Sequence, residues 1–290
     1  MNKRKFNIVD AVLILLVLAA GVGVLALRDR STGADVKRDT EPMRYTVEIT
    51  MAPPAMTEAM HIGDDVYRST DNVYLGKLVD IRSVPHQENG YCPGQGEFVK
   101  FESQESRDVY LTIEGQAYST PRDIVVESVV PKVCGEMFVK GKGYAKMGYV
   151  CDIDTMGAKL TENTDLGAGG AEVTYVLRFA DMREMLLDNL HVGDRMYESI
   201  TGSLIGVVEE IWTEPYGETH LNGDGAAVYA EKPDVYNLFA RIRGRAVDQA
   251  DGYYLDGGTE LKVGATIIAQ SQYISRSAMF YALENVGEAK

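Results

Sequence analysis

Cysteine is scarce in this 290-residue chain, which has only Cys92, Cys134 and Cys151, all in the first half. The second half therefore reaches its fold without a disulfide. In the first half one pair is open to oxidation, with a thiol left over. Histidine numbers four and tryptophan one. No C-x-x-C accompanies them, so His86 and Cys92, close in sequence, make a poor zinc set. Positive charge is the minority sign, with 29 Lys and Arg against 43 Asp and Glu, a net charge of −14. No Lys/Arg run is long enough to line phosphates, which excludes nucleic-acid binding. The G-x-S-x-G, P-loop, Rossmann and H-E-x-x-H patterns are also missing. No cofactor and no catalytic residue is therefore nominated. Paired carboxylates carry no weight, because so many acids produce coincidental pairs.

What is present begins with a long apolar run. Ile8–Leu27 is long enough to cross a hydrocarbon core as a helix, and its only charge, Asp10, lies near one end. Lys3, Arg4 and Lys5 precede it, so the positive-inside bias predicts a cytoplasmic N-terminus and an extracytoplasmic remainder. The run exceeds the apolar region of a cleaved signal peptide, which favours an uncleaved single-pass anchor. The first 27 residues carry +2, leaving −16 beyond them. An acidic ectodomain is repelled by anionic lipids and wall polymers, although such charge more often serves solubility. Within the span, Ala19 and Gly23 form a small-xxx-small pair of the kind found in helix dimers, a pointer to a homo-oligomer.

The second positive feature is an internal duplication. At an offset of 130, residues 45–85 and 175–215 align without a gap. HIGDDVYRST from His61 meets HVGDRMYESI from His191, Tyr45 meets Tyr175, Gly76 meets Gly206, and Pro85 meets Pro215. A second block follows, VYLTIEGQA from Val109 against LFARIRGRA from Leu238. A third is looser, FVKGKGYA near Phe138 against LKVGATII near Leu261. The period is far longer than a solenoid repeat, so it predicts two tandem domains. The expected layout is a cytoplasmic tail and anchor (1–27), a polar stalk (28–42), a first unit (43–160), a glycine-rich linker (161–172) and a second unit (173–290). The fold class this predicts is mainly β, with two duplicated, barrel-like units beyond a transmembrane helix.

Each unit opens on an alternating strand, YTVEIT or TYVLRF, which points Val47 and Ile49, or Leu177 and Phe179, to one side. A short helix is expected next. Pro53 and Pro54 suit its start in the first unit, and Asp181 with Glu184 has N-cap and N3 spacing in the second. Met182, Met185 and Leu186 then read as its buried face. Gly63-Asp64 and Gly193-Asp194 follow as turns, and Gly76 and Gly206 as bulges or sharp bends within the next strand. A His61–Asp64 catalytic dyad is the tempting alternative. It lacks a nucleophile, and such residues at a helix-to-strand turn usually satisfy backbone groups.

Two segments rich in Gly, Asn, Glu and Tyr, residues 86–97 and 216–234, read as loops of unequal length in equivalent places. The second contains HLNGDGAAVYAE, which places Asn222, Asp224 and Glu231 at EF-hand positions. His220 stands where that loop needs a carboxylate, and no helix flanks it, so a hairpin turn around Asn-Gly and Asp-Gly is the stronger reading. Trp212, beside the longer loop, suits either sugar stacking or packing against the sheet.

The anchor FNIVDAVLILLVLAAGVG with Asp10, the Gly63-Asp64 turn, Gly76, and the strand Val79-Asp80-Ile81 together resemble the bacterial membrane-anchored family of unknown function DUF4330. The resemblance is best over residues 6–82 and extends more loosely to about 157. The second unit departs from it, with Glu209-Glu210-Ile211 where the first has Val-Asp-Ile. The resemblance implies a tethered, mostly β extracytoplasmic module and no activity. Two functions remain in view. One is a non-enzymatic envelope scaffold or adaptor that docks other envelope proteins and holds to the bilayer through Ile8–Leu27. The other is a polysaccharide-binding or polysaccharide-processing protein with its site between the units.

Overall fold

The computed structural model describes residues 39–156, 166 and 169–286. The apolar run Ile8–Leu27, with Asp10, Ala19 and Gly23, lies outside them, as do residues 28–38 of the stalk and most of the 161–172 join. Among the described residues, no helix is long and apolar enough to cross a membrane. Thr40–Lys290 makes one compact unit.

That unit is mainly β and contains two sheets. The first holds β1 (Glu41–Ala52), β2 (Asp65–Arg68), β3 (Tyr74–Cys92), β4 (Glu97–Ser119), β5 (Ile124–Val126), β6 (Glu136–Lys140) and β7 (Ala145–Asp154), with the short helix α1 (Pro54–Glu58) after β1. The second holds β8 (Ala171–Arg183), β9 (Arg195–Glu198), β10 (Leu204–Leu221), β11 (Ala227–Gln249), β12 (Gly252–Leu255), β13 (Glu260–Leu261), β14 (Thr266–Gln270) and β15 (Ser275–Val286). Strand order in the first is β1-β7-β6-β2-β3-β4-β5, and β1 also pairs with β4. The first six strands of that order thus form a closed antiparallel ring. In the second sheet, β10-β9-β14-β15-β8-β11 closes in the same way through β10–β11, and β12 and β13 extend it. No described strand crosses from one sheet to the other. Closure leaves few unpaired edges to manage.

The rings close over matched interiors. Tyr45, Val47, Ile49, Leu75, Leu78, Leu111 and Ile113 are fully buried in the first, and Tyr175, Leu177, Phe179, Ile205, Val208, Ala240 and Ile242 in the second. Each large apolar side chain so enclosed contributes about 2 kcal/mol. The two tyrosines also need a partner for a buried hydroxyl. Tyr45 donates to the Leu75 carbonyl at 3.0 Å, and Tyr175 donates to the Ile205 carbonyl at 2.8 Å. Gly76 and Gly206 come next in the chain, at φ 135° and 154°. A Cβ on either would lie 2.4 Å or 2.5 Å from the carbonyl oxygen of Glu114 or Arg243. The bulge therefore lets two backbones meet while freeing a carbonyl for the tyrosine.

The structure departs from four expectations. Asp181 does not cap a helix: it lies within β8 at φ 55°, and the segment that follows is a 3-10 helix, Glu184–Asn189, capped by Arg183 without a side-chain bond. Met51, the matched residue of β1, has φ 52°, so this position is a bulge in both sheets. Met182 is accordingly a buried strand residue, and Met185 is 38% exposed.

The two segments read as loops are instead the arms of long hairpins, turning only at residues 93–96 and 222–226. Their polar composition is that of a ribbon standing beyond the ring interior, partly covered where the two arms meet. The third sequence block is out of register. Ser69 N–H donates to Phe138 O and Ser199 N–H to Ile268 O, which pairs Phe138 with Ile268 rather than Leu261. LKVGATIIAQ from Leu261 matches PKVCGEMFVK from Pro131, and a coincidence of glycines at 141 and 264 caused the slip. Finally, β8 begins at Ala171, inside the segment read as a linker.

Candidate functional site at the junction of the two sheets

On the outer face of the first sheet, Arg82, Tyr110, Glu48 and Tyr149 stand in one row across β3, β4, β1 and β7. The Arg82 guanidinium lies 3.9 Å over the Tyr110 ring, whose hydroxyl donates to Glu48 Oε1 at 3.0 Å. Glu48 is fully buried. Such a carboxylate survives only when paired and hydrogen-bonded. The partner comes from the second sheet. Arg183, at the end of β8, donates Nη1 to Glu48 Oε1 at 2.7 Å and Nη2 to Oε2, a two-pronged contact. The bond to Glu48 raises the Arg183 pKa further above its ordinary value. Burial, with Glu48 adding to it, raises that of the Tyr110 hydroxyl.

Cavities of about 370 Å³ and 400 Å³ flank Arg183 and share Asn89 and Val235. Cys134, Tyr149, Lys232 and Arg276 line the first, and Arg82, Lys100, Asp108 and Tyr110 the second. Beside the larger one, His86 is buried at the bulge between Pro85 and Gln87. Its Nδ1 lies 2.7 Å from Asp108 Oδ1, and its Nε2 lies 3.1 Å from Glu88 Oε1. Burial pulls the imidazole pKa down, but bonding to Asp108 and Glu88 outweighs it, so the net shift is upward.

Further contacts join the sheets at two places. Lys132 is buried, and its ammonium donates to the carbonyls of Ser271 (2.7 Å), Gln272 (3.0 Å) and Arg122 (3.2 Å) and pairs with Asp123. Burial lowers its pKa despite Asp123. The next residue, Val133, forms a parallel bridge with Ile274. At the other end the hairpin arms meet: Tyr91 stacks on His220 at 4.5 Å, and Asn89 Nδ2 donates to Pro233 O at 3.1 Å.

Of the residues singled out from sequence, Asp181, Leu186 and Met185 line these cavities and His86 and His220 border the junction, whereas the repeated turns serve their own backbone. Gly63 and Gly193 both have φ 94°, and their N–H groups donate to Leu78 O and Val208 O. Asp64 Oδ2 accepts from His61 N–H at 3.1 Å, and Asp194 Oδ2 accepts from His191 N–H at 2.9 Å. Asn222 Oδ1 accepts from the N–H groups of Asp224 and Ala226, whereas Glu231 lies along β11 opposite Gly217. Among the described residues, no group of three His, Cys, Asp or Glu is placed to hold a metal. His86 and Cys92 lie on one strand, and all three cysteines are unpaired. Trp212 sits mid-strand in β10, stacked on Phe239 at 5.3 Å and 7°.

Sequence reasoning missed Glu48, Arg183, Lys132 and the His86–Asp108 pair. An acid on the outer face of an alternating strand looks ordinary until its partner, 135 residues away, is in place.

Two closed antiparallel sheets of matching order, locked by the Glu48–Arg183 pair, by the buried Lys132 ammonium and by contacts between hairpin arms, define a class of tandem β module. The profile of the family described as domain of unknown function DUF4330 matches residues 2–154, more than half of the chain. The chain belongs to that family. No curated protein and no solved structure matches it.

Proposed function

We propose that the chain is a single-pass membrane protein of the bacterial envelope whose extracytoplasmic head, two duplicated β-barrels, serves as a scaffold or adaptor. Ile8–Leu27 is the anchor, with the N-terminus cytoplasmic. The observation that carries the reading is the junction. Glu48–Arg183 and Lys132 use buried charge to fix one barrel against the other, an arrangement that secures geometry more than stability. A head held this way presents surfaces at fixed separations, as an adaptor must. The test joins topology to partnership. A C-terminal alkaline phosphatase fusion is expected to be active, and native-membrane pull-down of the intact chain is expected to recover the same envelope proteins until Glu48→Ala loosens the junction. An active cytoplasmic reporter at that site, or recovery indifferent to Glu48→Ala, overturns the reading.

The two cavities beside Arg183 favour a second reading, a polysaccharide site between the barrels. Asn89, Tyr149, Arg183 and Lys232 supply the donors and the ring face that sugar recognition uses. Binding of wall or exported glycans that is lost in Asn89→Ala would select this reading over the first.

A further inference from the structure

The contact between the two sheets is head-to-tail. It joins the outer row Arg82–Tyr110–Glu48–Tyr149 of the first sheet to the end of β8 and the residues after it, Arg183 above all, in the second. Because the sheets match strand for strand, each surface has a counterpart that this contact leaves unused.

The counterpart of the row is Trp212–Phe239–Arg178–Met279, in the same register across β10, β11, β8 and β15. Trp212 stacks on Phe239, Tyr281 meets Phe239 edge-on at 5.1 Å, and the Arg178 guanidinium lies 5.7 Å from the Tyr281 ring centre. Tyr281 is 46% exposed, and Phe239 is buried beneath it and Trp212. Trp212, Arg178 and Met279 are half-buried, so they form the accessible part of the row, with Tyr281 beside them. Arg178 occupies the place of Glu48, and its buried Nε has no hydrogen-bond partner among the described residues. A buried donor left open is destabilising until an acceptor arrives.

The counterpart of the Arg183 segment is the end of β1 and the start of α1. There Met51 is 55% exposed, and Pro53 and Pro54 are exposed. The exposed acids Glu102 and Glu105 stand on the neighbouring β4 arm, and Lys146 is tied to the carbonyls of Thr50 and Met51. The sign of the pairing is therefore reversed. The covered row offers an acid to a cation, whereas the uncovered row offers a cation and aromatic faces to a surface of prolines, methionine and acids.

We propose that the uncovered row binds a second copy of this chain: the Met51–Pro54 surface of one molecule docks on the Arg178–Trp212 row of the next, repeating between molecules the contact made within one. Such an interface is heterologous, so it propagates as a chain of heads unless the rotation closes a ring. The proposal deepens the scaffold reading but rests on the head alone, so its failure leaves the anchor and adaptor claims standing.

Sedimentation of the full-length chain in neutral detergent, over a concentration series, tests it. The expected result is a mass that climbs beyond the dimer. Arg178→Glu and Pro53→Arg are each expected to weaken association at least tenfold. The two changes in one chain are expected to restore it, by recreating between copies the pair that Glu48 and Arg183 make within one. Equimolar mixing of the two single variants is expected to restore growth as an alternating assembly, because the intact row of one meets the intact surface of the other and the Pro53→Arg surface meets the Arg178→Glu row. Restoration also shows that neither change merely unfolds the head. A monomer at every concentration up to about 100 μM overturns the proposal, as does assembly indifferent to both changes. Assembly that Arg178→Glu abolishes and Pro53→Arg does not rescue would assign the row to another partner and likewise overturn it.

Discussion

The two sheets agree where they face inward and differ where they face out. Tyr45 and Tyr175 make the same hydroxyl bond, and Gly76 and Gly206 make the same close approach. On the outer row, however, Arg82, Tyr110 and Glu48 in one sheet are Trp212, Phe239 and Arg178 in the other. Beside that row, His86 and Asp108 give way to Tyr216 and Asn237. The interior cannot drift, because a close-packed ring transmits any change of volume to every strand. The exterior is answerable only to what covers it. In the first sheet it is covered and has become a network of paired charges. In the second it has become aromatic around an arginine whose Nε has no hydrogen-bond partner among the described residues.

The comparison can be broken hardest at the glycines. Gly76→Ala and Gly206→Ala are each expected to cost at least about 3 kcal/mol, because a backbone carbonyl occupies the place of the new methyl group. Urea melts that found either change mild would deny the two bulges their shared role. Next comes the outer row. Glu48→Ala strands the half-exposed Arg183 and Tyr110 and should cost about 2 kcal/mol, whereas the matched Arg178→Ala should cost under about 1 kcal/mol. Equal losses in thermal melts would erase the distinction between covered and uncovered rows. At the repeated turns, Asp64→Ala and Asp194→Ala should each cost about 1 kcal/mol, with His61→Ala within about 0.5 kcal/mol of the parent. If Asp64→Ala melts as the parent does while abolishing a cellular phenotype, the turn presents its side chain to a ligand instead.

A pH series separates the sheets more finely. The folded pKa of His86 lies above its ordinary value of 6.5, so the bonds to Asp108 and Glu88 contribute fully below that pH. The contribution fades as pH rises through the raised value. Tyr216 and Asn237, at the matched places, have no such transition. His86→Gln should therefore flatten the stability curve above pH 6.5, leaving the slope contributed by His191, whose pKa its bond to Asp194 raises. An unchanged curve would remove His86 from the account. The smallest effect is expected at Cys134, which holds φ 70° where the second sheet has Gly264. Cys134→Gly should shift stability by less than about 0.5 kcal/mol, while Gly264→Ala should cost about 1 kcal/mol. A large loss in Cys134→Gly melts would mean that the thiol, which also lines the smaller junction cavity, is held for its packing.

The parts legible in the sequence are those that short-range physics dictates. Alternation placed Val47, Ile49, Leu177 and Phe179 inside, and the Gly-Asp pairs and inner glycines marked positions that the backbone itself needs. The junction was illegible because each of its groups looks ordinary alone. Glu48 reads as a solvated acid on an exposed face, and Lys132 as one of many surface lysines. His86 was weighed only against Cys92, although its partners are Glu88, two residues on, and Asp108, on the neighbouring strand. Asp181 misled because an acid three residues before Glu184 fits a helix cap as well as it fits a left-handed bulge. The hairpin arms misled because a ribbon beyond the ring interior has the composition of a loop.

The distance in sequence between Glu48 and Arg183 also sets an order of events. The last strand of the first ring ends at Asp154, 29 residues before Arg183, so the first ring is complete in sequence before its partner is. At ordinary elongation rates the arginine follows Glu48 by roughly ten seconds. Until the second ring closes, the carboxylate stands open to water on a finished first ring, and the row around it is a waiting berth. Docking of the second barrel is then the final step of maturation, so a chain stopped near residue 160 is expected to be folded but to display the unfilled berth.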